Sequence, residues 1–153
     1  MNYICLSGNA PGSDITFQIG SDNNCVIFLP WKSFNEKMFD PSIALDYFIV
    51  GDQPEGVESV EQFHPRGKYL NPSVRSLMAR NYYQIFGFDK YPKVDFVICC
   101  ADPTENGKVA GGTGQAVRIA LHHKIPVVNI RDTNWKSKYD EIICRIEMLD
   151  AFS

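Results

Sequence analysis

The sequence predicts an α/β fold of the Rossmann-like, doubly wound kind, with a mainly parallel sheet and helices on both faces. Three observations carry this reading. Short apolar runs, all-apolar CVIFL at 25–29 and VDFVICC at 94–100 with its single Asp95, show little polar alternation, as strands buried on both faces require. Stretches of helical period separate these runs, so strand and helix alternate along the chain. Two glycine-rich turns each follow a strand and open a helix, and in such sheets ligands sit beyond the carboxyl ends of the strands.

Taken in order, Tyr3 to Leu6 is a short apolar strand closed by Ser7-Gly8. Ile15 to Ile19 belongs to a helix entered at Ser13 or Asp14, both good N-cap types. Cys25 to Leu29 is a buried strand stopped by Pro30. The pattern then weakens, with Pro41, Pro54 and Pro65 interrupting it, and residues 32–69 read as an irregular, partly structured insertion. Pro72 starts a helix whose apolar face holds Val74, Leu77, Met78, Asn81 and Ile85, and Gly87 ends it. Val94 to Cys100 is the strongest strand. A polar loop at 102–110 leads to a helix from Gly111 to about His123, a strand at 125–130, and an amphipathic helix carrying Tyr139, Ile142, Ile143, Ile146 and Leu149. No internal repeat or low-complexity segment is visible, and the chain reads as one domain over 1–153.

Composition narrows the function classes. The chain has 153 residues, 44% of them hydrophobic, so it can form a core without disulfides or metal. With 15 Lys+Arg against 18 Asp+Glu it lacks the basic excess of a duplex-DNA binder, and nucleic acid is an unlikely partner. Its five cysteines are odd in number and scattered, mostly within apolar runs. None forms C-x-x-C or stands at metal-ligand spacing from a histidine, so they read as reduced core thiols and no metal site is expected. No run approaches the about 18 apolar residues that span a bilayer, and no leader pattern opens the sequence, which predicts a cytoplasmic protein.

The first glycine turn is Ser7-Gly8-Asn9-Ala10-Pro11-Gly12-Ser13-Asp14, and the second is Gly111-Gly112-Thr113-Gly114-Gln115-Ala116. Glycines there let a backbone approach a ligand closely, and N–H groups at the helix start attract anions. Neither turn is a Walker A loop or a dinucleotide-binding fingerprint. Other residues have two readings each. Asp14 caps its helix or receives a ribose hydroxyl. Trp31, at a strand's carboxyl end, stacks on a base or packs locally. Asp102 follows the strongest strand at the edge where sites form. Arg80 forks onto a phosphate or is a solvated helix residue, while Asn81 contacts a base or ribose. His122 and His123 suit a helix C-terminus better than catalysis. His64-Pro65-Arg66 lies in the irregular stretch and faces a ligand only if that stretch covers the site.

The ordered set SGNAPGSDITFQIG, VIFLPW, ARNYYQIFG, VDFVICCAD, GGTGQAVRIA and IPVVNI resembles the SLOG superfamily. That group joins the lonely-guy and lysine-decarboxylase-like proteins to the Rossmann-like domain of DNA-processing protein A, and the resemblance is to its short, phage-type members. It covers residues 3 to 132, with low similarity around 36–62. It implies capture of a nucleotide or nucleotide-derived signalling molecule in a cleft between the two turns, with no cofactor. The implied contacts are Ser7, Gly8, Asn9, Gly12, Asp14, Trp31, Arg80, Asn81, Asp102, Gly111, Gly112, Thr113, Gly114 and Gln115. For a phage-encoded member, the implied role is counter-defence in the host cytoplasm. In lonely-guy enzymes the second turn reads PGGxGTxxE, with a catalytic Glu that cleaves ribose phosphate from a nucleotide. Aligning Gly111-Gly112-x-Gly114 with it puts Arg118 at that Glu, which favours a binder. The alternatives are an N-glycosidase or phosphoribohydrolase acting on a nucleotide or NAD-like substrate, and single-stranded DNA binding. Family members also carry a strand and helix before the first turn, for which this chain leaves no room. The resemblance therefore implies an uncovered first strand and a homo-oligomer that covers it.

Overall fold

The computed structural model describes residues 3–153, which form two compact units divided after Lys93. In the first, β1 (Cys5–Ser7), β2 (Cys25–Leu29) and β3 (Ala44–Ile49) form a parallel sheet in the order β1-β2-β3. Every residue of β2 is buried, so both of its faces are covered. On one face Val26 and Phe28 meet Val50, Tyr83 and Tyr91, with Leu6 and Phe48 at the margin. On the other, Cys25, Ile27 and Leu29 meet Phe34 and Phe39. This central strand was legible because alternate residues face two apolar layers, leaving no polar position. β1 forms one edge of the sheet, and it begins after Tyr3 and Ile4, both more than a third exposed.

Three helices complete this unit: α1 (Ser13–Gly20), α2 (Pro54–Phe63) and α3 (Pro72–Phe86). Pro72 sits in the first turn of α3, and the Asn71 side chain caps it by accepting the Val74 N–H at 2.9 Å. Gly87 ends it with φ 73°, a left-handed position that suits glycine. Helix α2 lies against α3 through Val60, Met78 and Ala79. The Tyr83 hydroxyl ties the two helices by accepting the Gly56 N–H and donating to Glu55, both at 3.2 Å. Residues 32–69, expected to be irregular, thus hold β3, α2 and three short 3-10 turns. The reason is physical. β3 alternates half-buried and exposed residues with Asp46 among them, and α2 turns only a narrow apolar stripe inward.

In the second unit β4 (Val97–Cys99) and β5 (Val127–Asn129) pair in parallel, followed respectively by α4 (Gly111–His122) and α5 (Trp135–Ala151). The Asn129 side chain clasps the strand ends: it accepts the Ala101 and Arg131 N–H groups, both at 3.2 Å, and donates to the Ala101 carbonyl at 2.7 Å. The strand expected over 94–100 pairs only at 97–99. The apolar stripe expected of α5 is present, yet no residue of α5 is buried. The fold is therefore α/β with parallel strand pairing, in sheets of three and two strands among the described residues. No described helix is long and apolar enough to cross a membrane.

The cysteines divide by environment. Cys25 and Cys99 are buried, Cys5 and Cys100 are half-buried, and Cys144 is exposed on α5, which corrects its reading as a core thiol. Burial pushes the Cys5 thiol up to about 12 and the Cys99 thiol up to about 11. Both remain protonated at pH 8, and the thiolate is the reactive form. Brief iodoacetamide treatment of the folded protein at that pH should label Cys144 first, as read by peptide mass spectrometry. Rapid labelling of Cys25 or Cys99 would contradict this packing. Phe28→Ala should cost about 3–5 kcal/mol in chemical denaturation, as expected for emptying a fully buried aromatic site.

Candidate functional site

The carboxyl ends of β1 and β2 carry most of the residues singled out in the first unit. After Ser7 the chain turns through Gly8 to Gly12 into α1, and the Asp14 side chain folds back over that turn. Its Oδ2 accepts the Gly8 N–H at 3.2 Å and the Ala10 N–H at 3.0 Å. Asp14 therefore closes the loop that precedes its helix. Gly12 has φ 93° and ψ −115°, a conformation that residues with a Cβ rarely adopt. Ser7 is buried beneath the turn, where its hydroxyl accepts from Gln18 Nε2 at 2.8 Å.

Asn9 is left-handed, with φ 58°, and fully buried. Its carbonyl accepts from Asn35 Nδ2 at 2.9 Å, and its own Nδ2 donates to the Phe34 carbonyl at 3.5 Å. The side-chain oxygen of Asn9 has no hydrogen-bond partner.

Arg80 reaches this turn from α3. It is only 6% exposed, which overturns the reading of a solvated helix residue. Its Nη1 donates to the Gly8 carbonyl, and its guanidinium carbon lies 5.1 Å from the centre of the Phe34 ring. It takes part in no ion pair among the described residues, and its Nε has no acceptor. Burial lowers its pKa, and the Asp14 charge acts the other way. Gly8 gives the guanidinium its room, since a Cβ there would lie 2.7 Å from Arg80 Nε and Cζ. Asn81, next on α3, is also buried. Trp31 stands edge-on to Phe34 with centroids 5.3 Å apart and is 37% exposed.

In the second unit, Gly111, Gly112, Thr113, Gly114 and Gln115 form the first turns of α4, and no side chain caps its start. Gly111 and Thr113 are exposed, whereas Gly114 and Gln115 are buried. Arg118 follows one turn later, half-buried, with its pKa lowered by desolvation. Asp102 lies on the surface, 3.3 Å from Arg131 Nε in an exposed pair. In the first unit, away from the turn, His64 ends α2 and accepts the Arg66 N–H on its Nδ1 at 3.1 Å.

The first unit thus gathers Ser7, Gly8, Asn9, Asp14, Trp31 and Arg80 through direct contacts, with Gly12 in the same turn. Phe34 and Asn35 belong to this group, and sequence reasoning missed them because they lie in a stretch without period. The one available signal was the aromatic spacing Trp31–Phe34 just after a strand end. No family model, curated protein or solved structure matches the chain.

Gly8→Ala should force the guanidinium off the carbonyl and cost about 1–3 kcal/mol, the range for disturbing a buried polar contact. Gly20→Ala is the control, because a Cβ there meets nothing within 4 Å and the residue is helical. It should be neutral or stabilise by about 0.5–1 kcal/mol. Equal denaturation midpoints for the two variants would remove the Gly8–Arg80 contact from the account.

Proposed function

We propose that this chain is a SLOG-type, Rossmann-like nucleotide-binding protein that captures a nucleotide or nucleotide-derived signalling molecule rather than turning it over. Arg80 is the observation that carries the reading. A guanidinium removed from water costs several kcal/mol unless paired, and this one has a neutral carbonyl and an aromatic ring for company. A phosphate is the group that best completes such a partner set, through charge-assisted hydrogen bonds. The position agrees, since parallel α/β sheets take ligands beyond the carboxyl ends of their strands.

Around it, Gly8, Asn9 and Gly12 shape the turn, Ser7 and Asp14 hold it, and the exposed part of Trp31 offers a stacking surface. Asn81 is a further contact in this reading, and in the second unit Gly111, Gly112, Thr113, Gly114 and Gln115 are proposed by themselves as an anion-facing helix start. Asp102 belongs to the same proposal as a surface carboxylate at the β4 end. Hydrolysis is disfavoured by the state of the carboxylates. Asp14 is committed to two loop N–H groups, Asp102 faces Arg131, and Arg118 stands where lonely-guy enzymes have their Glu. Sequestration of a defence signal in a host cytoplasm is the biological role that fits a binder without turnover. Self-association is part of the proposal, supported by the edge position of β1 and the exposed Met148 and Leu149 of α5.

Native mass spectrometry of the protein purified from cells should show a bound nucleotide and more than one copy of the chain. Calorimetry with that nucleotide should show at least a tenfold loss for Arg80→Lys, which removes the planar fork while keeping the charge. Gly112→Asp should weaken binding by placing a carboxylate at the second helix start. Melting curves serve as the folding control for both variants. Incubation with adenosine monophosphate or NAD should release no free base, and steady base release would promote the hydrolase instead. Unchanged affinity in a folded Arg80→Lys variant would end the binding proposal as built on Arg80.

A further inference from the structure

Two buried polar atoms at the first turn lack partners, and they are of opposite character. Asn9 Oδ1 is an acceptor without a donor, and Arg80 Nε is a donor without an acceptor. Both belong to groups packed at the same place. Asn9 follows Gly8, the glycine against which Arg80 lies, and both side chains contact Phe34, one through its carbonyl and the other through its ring. The orientation of the Asn9 amide is set by that contact, since reversing it would point oxygen at oxygen.

We infer that this pair reads a sugar hydroxyl: an O–H group that donates to Asn9 Oδ1 and accepts from Arg80 Nε. The inference rests on the nucleotide reading above and names the part of the nucleotide that this corner recognises. The chemistry selects the group by elimination. A phosphate or carboxylate oxygen would satisfy Arg80 Nε but, ionised, would only oppose the Asn9 oxygen. An ammonium would satisfy Asn9 and be repelled by the guanidinium. A hydroxyl both donates and accepts, and a ribose carries two of them side by side. The remaining N–H groups of the guanidinium stay free for the phosphate contact already assigned to Arg80.

Access to the pair runs past Phe34 and Asn35. That short segment is held over the turn by the Asn35 bond to the Asn9 carbonyl, the long Asn9–Phe34 contact and the stacking on Arg80. Phe34 also packs against the Cys25, Ile27 and Leu29 layer and edge-on to Trp31, while Lys32, Ser33, Glu36 and Lys37 around it are exposed. A sugar hydroxyl seated here completes two buried hydrogen bonds.

The test is calorimetric titration of the full chain with the four ribonucleoside monophosphates and their dideoxy counterparts. The ribonucleotide that binds should be favoured by roughly 10- to 100-fold, the effect of leaving buried polar groups unpaired. Asn9→Gly accepts the left-handed backbone and removes Oδ1, so the ribose-over-dideoxy preference should fall below about threefold. Equal affinities in the wild-type chain overturn the inference, assign the two atoms to a buried water, and leave the nucleotide reading standing. A preference that survives Asn9→Gly also overturns it, since the sugar is then read elsewhere. If none of the ribonucleotides binds, the nucleotide reading fails together with the inference built on it. The wild-type comparison decides the matter even if the variant does not fold.

Discussion

The seat of Arg80 against the Gly8 carbonyl is the constraint around which the carboxyl edge of the first unit is arranged. It joins two points 72 residues apart, the end of β1 and the middle of α3. The position is set from both sides. Met78 and Ala79 fix α3 against α2, and Tyr83, one turn later, packs against Phe28 of the central strand. With the helix register held this way, the side chain between them is directed into the protein, and only a glycine at position 8 leaves space for it. Phe34, packed below on the Cys25, Ile27 and Leu29 layer, lies beside the guanidinium, and Trp31 stands edge-on to Phe34.

The two glycine-rich turns look alike in sequence and differ in physical state. The first is closed by its own side chain, because Asp14 consumes the N–H groups of Gly8 and Ala10 that an anion would otherwise approach. Its attraction for a negative group passes to the guanidinium behind it. The second begins after Ala110, whose methyl group cannot cap the helix start with a hydrogen bond. One turn presents charge through a side chain and the other through the backbone.

What could be read from the sequence follows from how local the cause is. Pro72, Asn71 and Gly87 bound α3 through contacts within one helical turn, so that helix was legible to its ends. CVIFL was legible because both faces of β2 are dry. β3 and α2 were not, since each buries only alternate or sparse positions and Asp46 interrupts the apolar pattern. VDFVICC overstated β4 because the apolar residues at 94, 96 and 100 need no strand partner to be apolar. At the candidate site, the residue types singled out at the ends of β1 and β2 do meet in the first unit. The state of each group was invisible beforehand: that Arg80 is buried, that Asp14 turns back, and that Phe34 and Asn35 close over Asn9 all depend on contacts between residues distant in the chain.

Helix α5 carries a different consequence. None of its 17 residues is fully buried, and its inward side chains Tyr139, Ile142, Ile143 and Ile146 are only half-buried, so it draws less on the hydrophobic effect than β2 does. Helices of about this length are marginal when only their own backbone sustains them. The amide hydrogens of α5 therefore exchange with solvent through local opening, at a free energy well below that of global unfolding, while those of β2 wait for the whole unit to open. Any surface that comes to cover the Ile142–Leu149 stripe would announce itself as slowed exchange in this one helix, with the rest of the chain unchanged.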